Sequence, residues 1–282
     1  KLKMTCACCA GYFPLAAVQL FMTAMVVFYS RHLLPSNTKI RKLFSVASVL
    51  FGSALMCLAA FLSALGGSPE LQDAWFAKLC AMLSKPGPLD DFRCPLAQSA
   101  GVGQVLELGP GAGANFRCLT NATGISSYVT VEPNDKFTSV LLAEATKQNL
   151  PFTITPTWLK GEQLDVEAAS FDSVLATHVL CSVGDAVPGL LKNVDSALKV
   201  GGTFVSMEHV AAESGSTLSM VQKVIGPAFS LIANGCEFKD AEKLVREHLP
   251  ASRYDLSVEY FEAPMPLAPF VPHVAIKATK LA

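Results

Sequence analysis

Charge is what this sequence has least of. Lys, Arg, Asp and Glu make up 16% of its 282 residues and hydrophobic types 51%, against roughly 25% charged in an average soluble domain. The formal net charge is −1, so no basic face points to nucleic acid or acidic lipid, and no nucleic-acid partner is expected. The nine cysteines lack pattern: their number is odd, and neither paired spacing nor a Cys/His zinc arrangement occurs, so no metal is expected. Cys57, Cys118 and Cys236 read as small core or membrane residues. This usage suits a reducing compartment better than a disulfide scaffold. Cys6, Cys8 and Cys9 read either as palmitoylation sites or as small residues at a helix start.

The missing charge is not missing evenly. Met4 to Ser30 carries none, and neither does Leu43 to Pro69; each exceeds the roughly 20 apolar residues that cross a bilayer. Between them, Arg31 to Lys42 is polar and basic, with Pro35 as a turn. Residues 1–69 are therefore expected to form a membrane hairpin of two helices, with a cleaved signal peptide as the alternative for the first. Leu71 to Ser84 has Leu71, Trp75, Leu79, Met82 and Leu83 at helical spacing. Residues 70–88 are read as an amphipathic helix, lying on a membrane or covering the next unit, and a Lys85-Pro86-Gly87-Pro88 linker.

Residues 89–282 form the third unit, and here strands alternate with helices. Gln104–Leu108, Tyr128–Glu132, Ser173–Thr177 and Thr203–Met207 read as strands, with a further one inside Phe152–Leu159. Lys136–Asn149 and Asp185–Lys199 read as helices. The alternation implies a parallel sheet covered on both faces. Two late strands, near Tyr254–Phe261 and Val271–Lys277, look like an antiparallel hairpin at its edge.

The chemistry concentrates in Glu107-Leu108-Gly109-Pro110-Gly111-Ala112-Gly113-Ala114-Asn115-Phe116. A strand ends, three glycines follow at alternate positions, and a helix is expected to begin. Glycines let the backbone turn sharply and approach a ligand closely, which then lies across the carboxyl end of the sheet. Glu132, ending the next strand, is placed to accept from two ribose hydroxyls. Gly109, Gly111 and Ala114 also satisfy the dinucleotide fingerprint, which wants an acid about 20 residues on. Glu107 favours a methyl donor, whose ammonium it can receive directly or through water; a nicotinamide cofactor gives no reason for a carboxylate there.

The segment Glu107 to Phe116 resembles the first motif of class I S-adenosylmethionine-dependent methyltransferases. Val179-Leu180-Cys181-Ser182-Val183, Leu198 to Phe204 and Glu208-His209-Val210-Ala211-Ala212-Glu213, with Gly161-Glu162 and Pro272-His273, narrow the likeness. Together they resemble the methyltransferase-like protein 7 family of membrane-associated thiol S-methyltransferases, over roughly residues 102–280. The resemblance implies a Rossmann-like α/β fold: a mostly parallel seven-stranded sheet with a C-terminal antiparallel hairpin, behind the N-terminal membrane hairpin. It assigns donor binding to Gly109, Gly111, Gly113 and Asn115, the ribose to Glu132 with Pro133 and Asn134 beside it, and the adenine edge to Gly161 and Glu162. Thr177, His178 and Cys181 would face the donor's methionine part. His178 departs from the family pattern, where an apolar or small polar residue is expected.

The expected reaction is an in-line methyl transfer from S-adenosylmethionine to a small lipophilic acceptor, preferably a thiol. A lipid, quinone or phenolic hydroxyl is the alternative acceptor, and a non-catalytic membrane-surface scaffold the alternative class. His209 and His178, near the carboxyl ends of strands, are the candidate bases. Cys181 is read as packing and not as a nucleophile, and His273 as lining the acceptor pocket or steadying a turn. The resemblance implies endoplasmic reticulum or lipid droplets. Four basic residues in the loop place that loop in the cytosol and the catalytic unit opposite, whereas cytosolic donor supply favours a cytosol-facing unit, which is the orientation expected. Asn121-Ala122-Thr123 is a glycosylation sequon that matters only on a lumenal face.

Overall fold

The computed structural model describes residues 38–264 and 268–281. The first apolar segment and most of the basic loop lie outside these residues. The chain divides into two compact units, Lys1–Gln72 and Asp73–Ala282.

In the first unit, α1 (Thr38–Gly67) carries the second apolar segment. Its stretch Val46–Gly67 is long and apolar enough to cross a membrane by length and composition. Large side chains such as Leu50 and Phe51 stand about two-thirds exposed. That is the coarse support for an anchor: an apolar helix that water would not favour. The unit boundary falls inside α2 (Pro69–Leu83), so most of this helix belongs with the second unit.

The second unit is a single seven-stranded sheet in the order β3-β2-β1-β4-β5-β7-β6. Its strands are β1 (Gly103–Leu108), β2 (Ile125–Val131), β3 (Ile154–Thr157), β4 (Phe171–Thr177), β5 (Leu198–His209), β6 (Tyr254–Glu262) and β7 (Pro272–Lys280). The first five are parallel, and β7 pairs antiparallel with both β5 and β6. Chain reversal begins between β1 and β4, so the carboxyl ends of these strands open a crevice at the switch point.

Residues alternate strictly in direction along a strand, and the two faces carry separate cores. On one face α5 (Val187–Ala197) presents Val187, Leu190, Leu191, Val194 and Ala197, a stripe at helical spacing. With Ala241 and Val245 of α7 (Ala241–His248) it covers Leu106, Val174, Phe204 and Ile276. On the other face, α3 (Asp90–Ser99) and α4 (Thr138–Lys147) bring Ala97 and Leu141 against Val105, Tyr128, Leu175 and Val205. The remaining helix, α6 (Thr217–Ile232), precedes α7.

Two expectations are corrected. After Gly113 the chain makes turns and a short 3-10 segment, Phe116–Cys118, and no α-helix begins there. Thr120 to Gly124, rich in turn formers, must reverse the chain before β2 starts at Ile125. The upstream helix α3 fills the space instead and is joined to this segment by a disulfide, Cys94–Cys118, across 24 residues. Cys118 is thus not a free core thiol, and the reducing-compartment reading loses its support, because disulfides persist where conditions oxidise. The fold, and not any spacing motif, brings this pair together.

Closing a loop of this length restricts the unfolded chain by about 3.5 kcal/mol in the chain-entropy model. The Cys94→Ala/Cys118→Ala double variant is expected to lose about 3 kcal/mol of unfolding free energy in urea titration. Unchanged stability would show that the bridge constrains nothing.

Candidate active site

The crevice is built from three buried carboxylates, each at the end of a strand. Glu107 in β1 accepts from Asn115 Nδ2 at 2.6 Å and from Tyr128 Oη at 2.7 Å. Both oxygens are engaged, so Glu107 reaches the crevice through Asn115. That side chain also donates from Nδ2 to Thr177 Oγ1 at 3.0 Å. Its Oδ1 is buried and has no hydrogen-bond partner among the described residues. An orphaned acceptor beside a carboxylate fits an ammonium group, and the rest of the loop fits the donor that would carry one.

Gly109, Gly111 and Gly113 all take positive φ. At Gly109 (φ +56) an added Cβ would lie 2.7 Å from Val179 Cγ2, so glycine lets the turn after β1 sit against the loop after β4. At Gly111 (φ +53) it would meet nothing closer than the Phe137 ring at 3.7 Å, an ordinary contact, so no collision explains this glycine. This is a cradle that a side chain would fill.

Glu132, directly after β2, accepts from the Gly111 and Asn134 amides at 3.1 and 3.0 Å. Pro133 is exposed and contributes only the turn. Asn134 Nδ2 donates to the Asp73 carbonyl at 2.9 Å, and its Oδ1 caps the turn at Lys136. Its side chain is thereby tied to α2. Gly161 starts a 3-10 turn where a Cβ would collide with Leu190, and its carbonyl accepts from Asn193. Close packing of α5 explains that glycine; Glu162 beside it is half-buried.

The third carboxylate, Glu208, was not singled out as a site residue in the sequence. It accepts from the amides of Val179 and Leu180, both at 3.0 Å, from Cys181 at 3.3 Å, and from Ser206 Oγ at 3.0 Å. It fixes the loop after β4, including His178, which adopts φ +57 while its amide donates to the Met207 carbonyl at 2.7 Å. A histidine in the left-handed region is strained by about 1 kcal/mol or more. Burial raises Glu107, Glu132 and Glu208 to about 7, each against opposing hydrogen bonds.

His178, His209 and His273 converge at this edge. Their ring centroids lie 4.3 Å (178–209), 4.6 Å (209–273) and 5.2 Å (178–273) apart. β5 and β7 place His209 opposite His273 in register, a pairing the sequence did not reveal. Burial lowers His209 to about 3, with His273 adding to it. His178 lies well below its ordinary value through burial and its two histidine neighbours, and His273 is lowered mainly by burial. All three are neutral near pH 7, and their low proton affinity makes them weak bases.

One wall beside the triangle is aromatic: Phe229, Phe238 and Phe270 pack together, and Phe229 meets His209 edge to face at 6.1 Å. Cys181 is buried with its Sγ 2.7 Å from Cys236 Sγ, in a cluster with Ala233, Phe76 and Phe229. It packs against the α6 end. Above the glycine loop, α2 sets Phe76 edge to face on Phe137 at 5.9 Å and packs Ala77 with Ala112.

His209 binds no proton in the fold until about pH 3, whereas an unfolded histidine does so below about 6.5. Its depressed value therefore weakens the fold as pH falls through this window. Between pH 6.5 and 5, wild type is expected to lose about 2 kcal/mol more than His209→Phe. The three raised carboxylates act oppositely and are common to both proteins, so the difference isolates the histidine. Parallel stability curves would contradict the neutral assignment.

A family model described as a methyltransferase domain matches residues 106–206. Human thiol S-methyltransferase TMT1A is 30% identical over 200 residues, covering 71% of this chain and 80% of that protein. Human thiol S-methyltransferase TMT1B is 31% identical over 195 residues, covering 66% and 74%. Among solved structures, the YcgJ protein of Bacillus subtilis matches with a TM-score of 0.52 at 14% identity, covering 68% of this chain and 99% of that one. A Haemonchus contortus phosphoethanolamine N-methyltransferase 2, solved with S-adenosylhomocysteine, gives 0.52 at 16%, covering 68% and 53%. The glycine cradle, the strand-end acids and these relatives agree: the chain belongs to the methyltransferase-like protein 7 family and is an S-adenosylmethionine-dependent methyltransferase.

Proposed function

We propose that this enzyme methylates small lipophilic thiols at sulfur, from a position on a membrane. The observation that carries the reading is the histidine triangle set against the Phe229–Phe238–Phe270 wall at the edge of the crevice. An apolar wall selects a lipophilic body, and uncharged imidazoles receive a thiol or thiolate without an opposing fixed charge. The relatives' names as thiol S-methyltransferases support the same class of acceptor.

S-adenosylmethionine supplies a methyl group made electrophilic by a sulfonium. The residues around it bind, orient and keep out water. Asn115 Oδ1 is offered to the ammonium, with Glu107 and Thr177 fixing its orientation. Glu132 keeps a free lone pair on each oxygen for the ribose hydroxyls, and Gly111 leaves room for the donor. Phe76 and Ala77 of α2 shield this end from solvent. Such positioning supplies several kcal/mol of rate acceleration without covalent catalysis.

Membrane association is assigned to α1, which brings acceptors dissolved in the bilayer close to the enzyme. We place the catalytic unit on the cytosolic side of the endoplasmic reticulum or a lipid droplet, where the donor is made. The Cys94–Cys118 disulfide and the exposed Asn121 of the sequon favour a lumenal face as the second reading. A mobility shift on endoglycosidase treatment would select the lumenal face.

Donor binding is expected to strengthen as pH rises from 6 to 8, because Glu132 ionises near 7 and only its ionised form accepts from both hydroxyls. Glu132→Gln should bind about tenfold more weakly at pH 8 and show a shallower dependence, the remainder coming from Glu107 beside the ammonium, and Gly111→Val should block binding. Calorimetry with S-adenosylmethionine measures all three; a flat wild-type profile would remove Glu132 from the donor site. For the acceptor, alkyl thiols should turn over and matched phenols should not. Preference for the phenols would overturn the thiol assignment.

A further inference from the structure

We infer that His178, His209 and His273 form a metal site that takes a divalent cation, zinc by its donor chemistry, with one position open to the acceptor's sulfur. The metal-ligand part stands on geometry alone; the role of the open position rests on the thiol reading above.

One ligating atom from each of the three side chains lies within 4.8 Å of the other two. The closest pair, His178 Nε2 and His273 Nε2, is 3.1 Å apart. Zinc–nitrogen bonds of about 2.0–2.1 Å require nitrogens about 3.4 Å apart in a tetrahedral site. His178 and His273 are close to that spacing, whereas His209, stacked on His178 at an interplanar angle of 25°, must turn its ring to aim a nitrogen at the ion. Three different elements supply them: the turn after β4, the end of β5 and the start of β7. A cation would therefore cross-link the edge of the sheet where the parallel and antiparallel parts meet.

The tautomer of His273 is already arranged for this, and His178 must give up the proton it shares with His273 when an ion binds. His273 Nδ1 donates to the Val271 carbonyl at 3.1 Å, which leaves a bare lone pair on Nε2. A backbone carbonyl holding the outer nitrogen is the usual support of a metal-bound histidine. That lone pair points at His178 Nε2, where a shared proton or a cation can join the two rings. His178 is kept in place by the strained turn at φ +57 that Glu208 secures from below. Arg93, the cation whose field reaches His178 and His273, is engaged by Asp90 at 2.7 Å.

Three neutral nitrogen ligands with an open fourth position are the pattern of catalytic, not structural, zinc. The site also answers a chemical need. A free thiol, with a pKa of about 8.5, is mostly protonated at pH 7. Coordination to zinc deprotonates a thiol outright, releasing the proton to water. The thiolate's electron pair then forms the new sulfur–methyl bond while the methyl–sulfonium bond breaks, and that pair stays on the donor's sulfur. The products are a thioether and S-adenosylhomocysteine.

Elemental analysis of the full chain, purified from zinc-supplemented culture and dialysed against micromolar zinc, tests the site directly. We expect about one zinc per chain in wild type, loss in His178→Leu and in His273→Ala, and retention in Cys181→Ser/Cys236→Ser. The last variant matters because Cys181, His209 and Cys236 form a second donor set around the same histidine. Zinc absent from folded wild type would overturn the proposal, as would zinc held in both histidine variants and lost in the cysteine one. Where a histidine variant does not fold, chelator extraction of wild type followed by zinc titration gives the same readout. In cobalt-substituted protein, octanethiol should produce a sulfur-to-cobalt charge-transfer band. Undiminished methylation of octanethiol by zinc-free protein would overturn the metal's role while leaving the thiol reading intact.

Discussion

Everything above the sheet depends on burying three carboxylates at strand ends. Glu107, Glu132 and Glu208 are each 5% exposed or less. An ionised carboxylate away from water is tolerated only when its oxygens are fully served by donors. Each acid meets that demand by drawing in a different loop. Glu107 takes Asn115 and Tyr128, Glu132 takes the amides of Gly111 and Asn134, and Glu208 takes three successive amides after β4. The loops are irregular, yet their course is dictated, because any other path leaves a buried acid without donors. The glycine cradle and the histidine triangle are rigid for the same reason.

This constraint also separates what the sequence revealed from what it concealed. The parallel strands were legible because doubly buried strands read as apolar runs, such as Val174 to Ala176, or Val105 to Leu108 with Glu107 its one polar member. The antiparallel edge was legible because only a helical stretch and turns separate it from β5. Glu107, Gly111 and Glu132 could be named from spacing, since the cradle and its acid lie within one strand–turn–strand unit. Glu208 was hidden because its partners lie 27 to 29 residues away in the chain, in the loop after β4. The partnership of His273 with His209 was hidden for the same reason: only strand register sets the two opposite each other. The Cys94–Cys118 bridge and the missing helix after Gly113 share one cause, since α3 takes the place that local pattern assigned to the following segment.

Helix α2 shows how the two halves of the active site are joined. Its Asp73 accepts at the backbone carbonyl from Asn134, beside the donor cradle, and at Oδ1 from Asn234, just past α6. Trp75 Nε1 donates to the Ile232 carbonyl at 3.1 Å, at the end of the same α6 that supplies Phe229 to the acceptor wall. Phe76 touches both Phe137 on the donor side and the Cys181–Cys236 cluster on the other. A methyl transfer requires donor and nucleophile in line with water excluded. A single helix that hydrogen-bonds to both sides meets the two requirements together, because it cannot leave one side without releasing the other. The packed face of α2 is the one that carries Phe76, Ala77 and Cys80, while Met82 and Leu83 of the apolar spacing read from the sequence stand exposed.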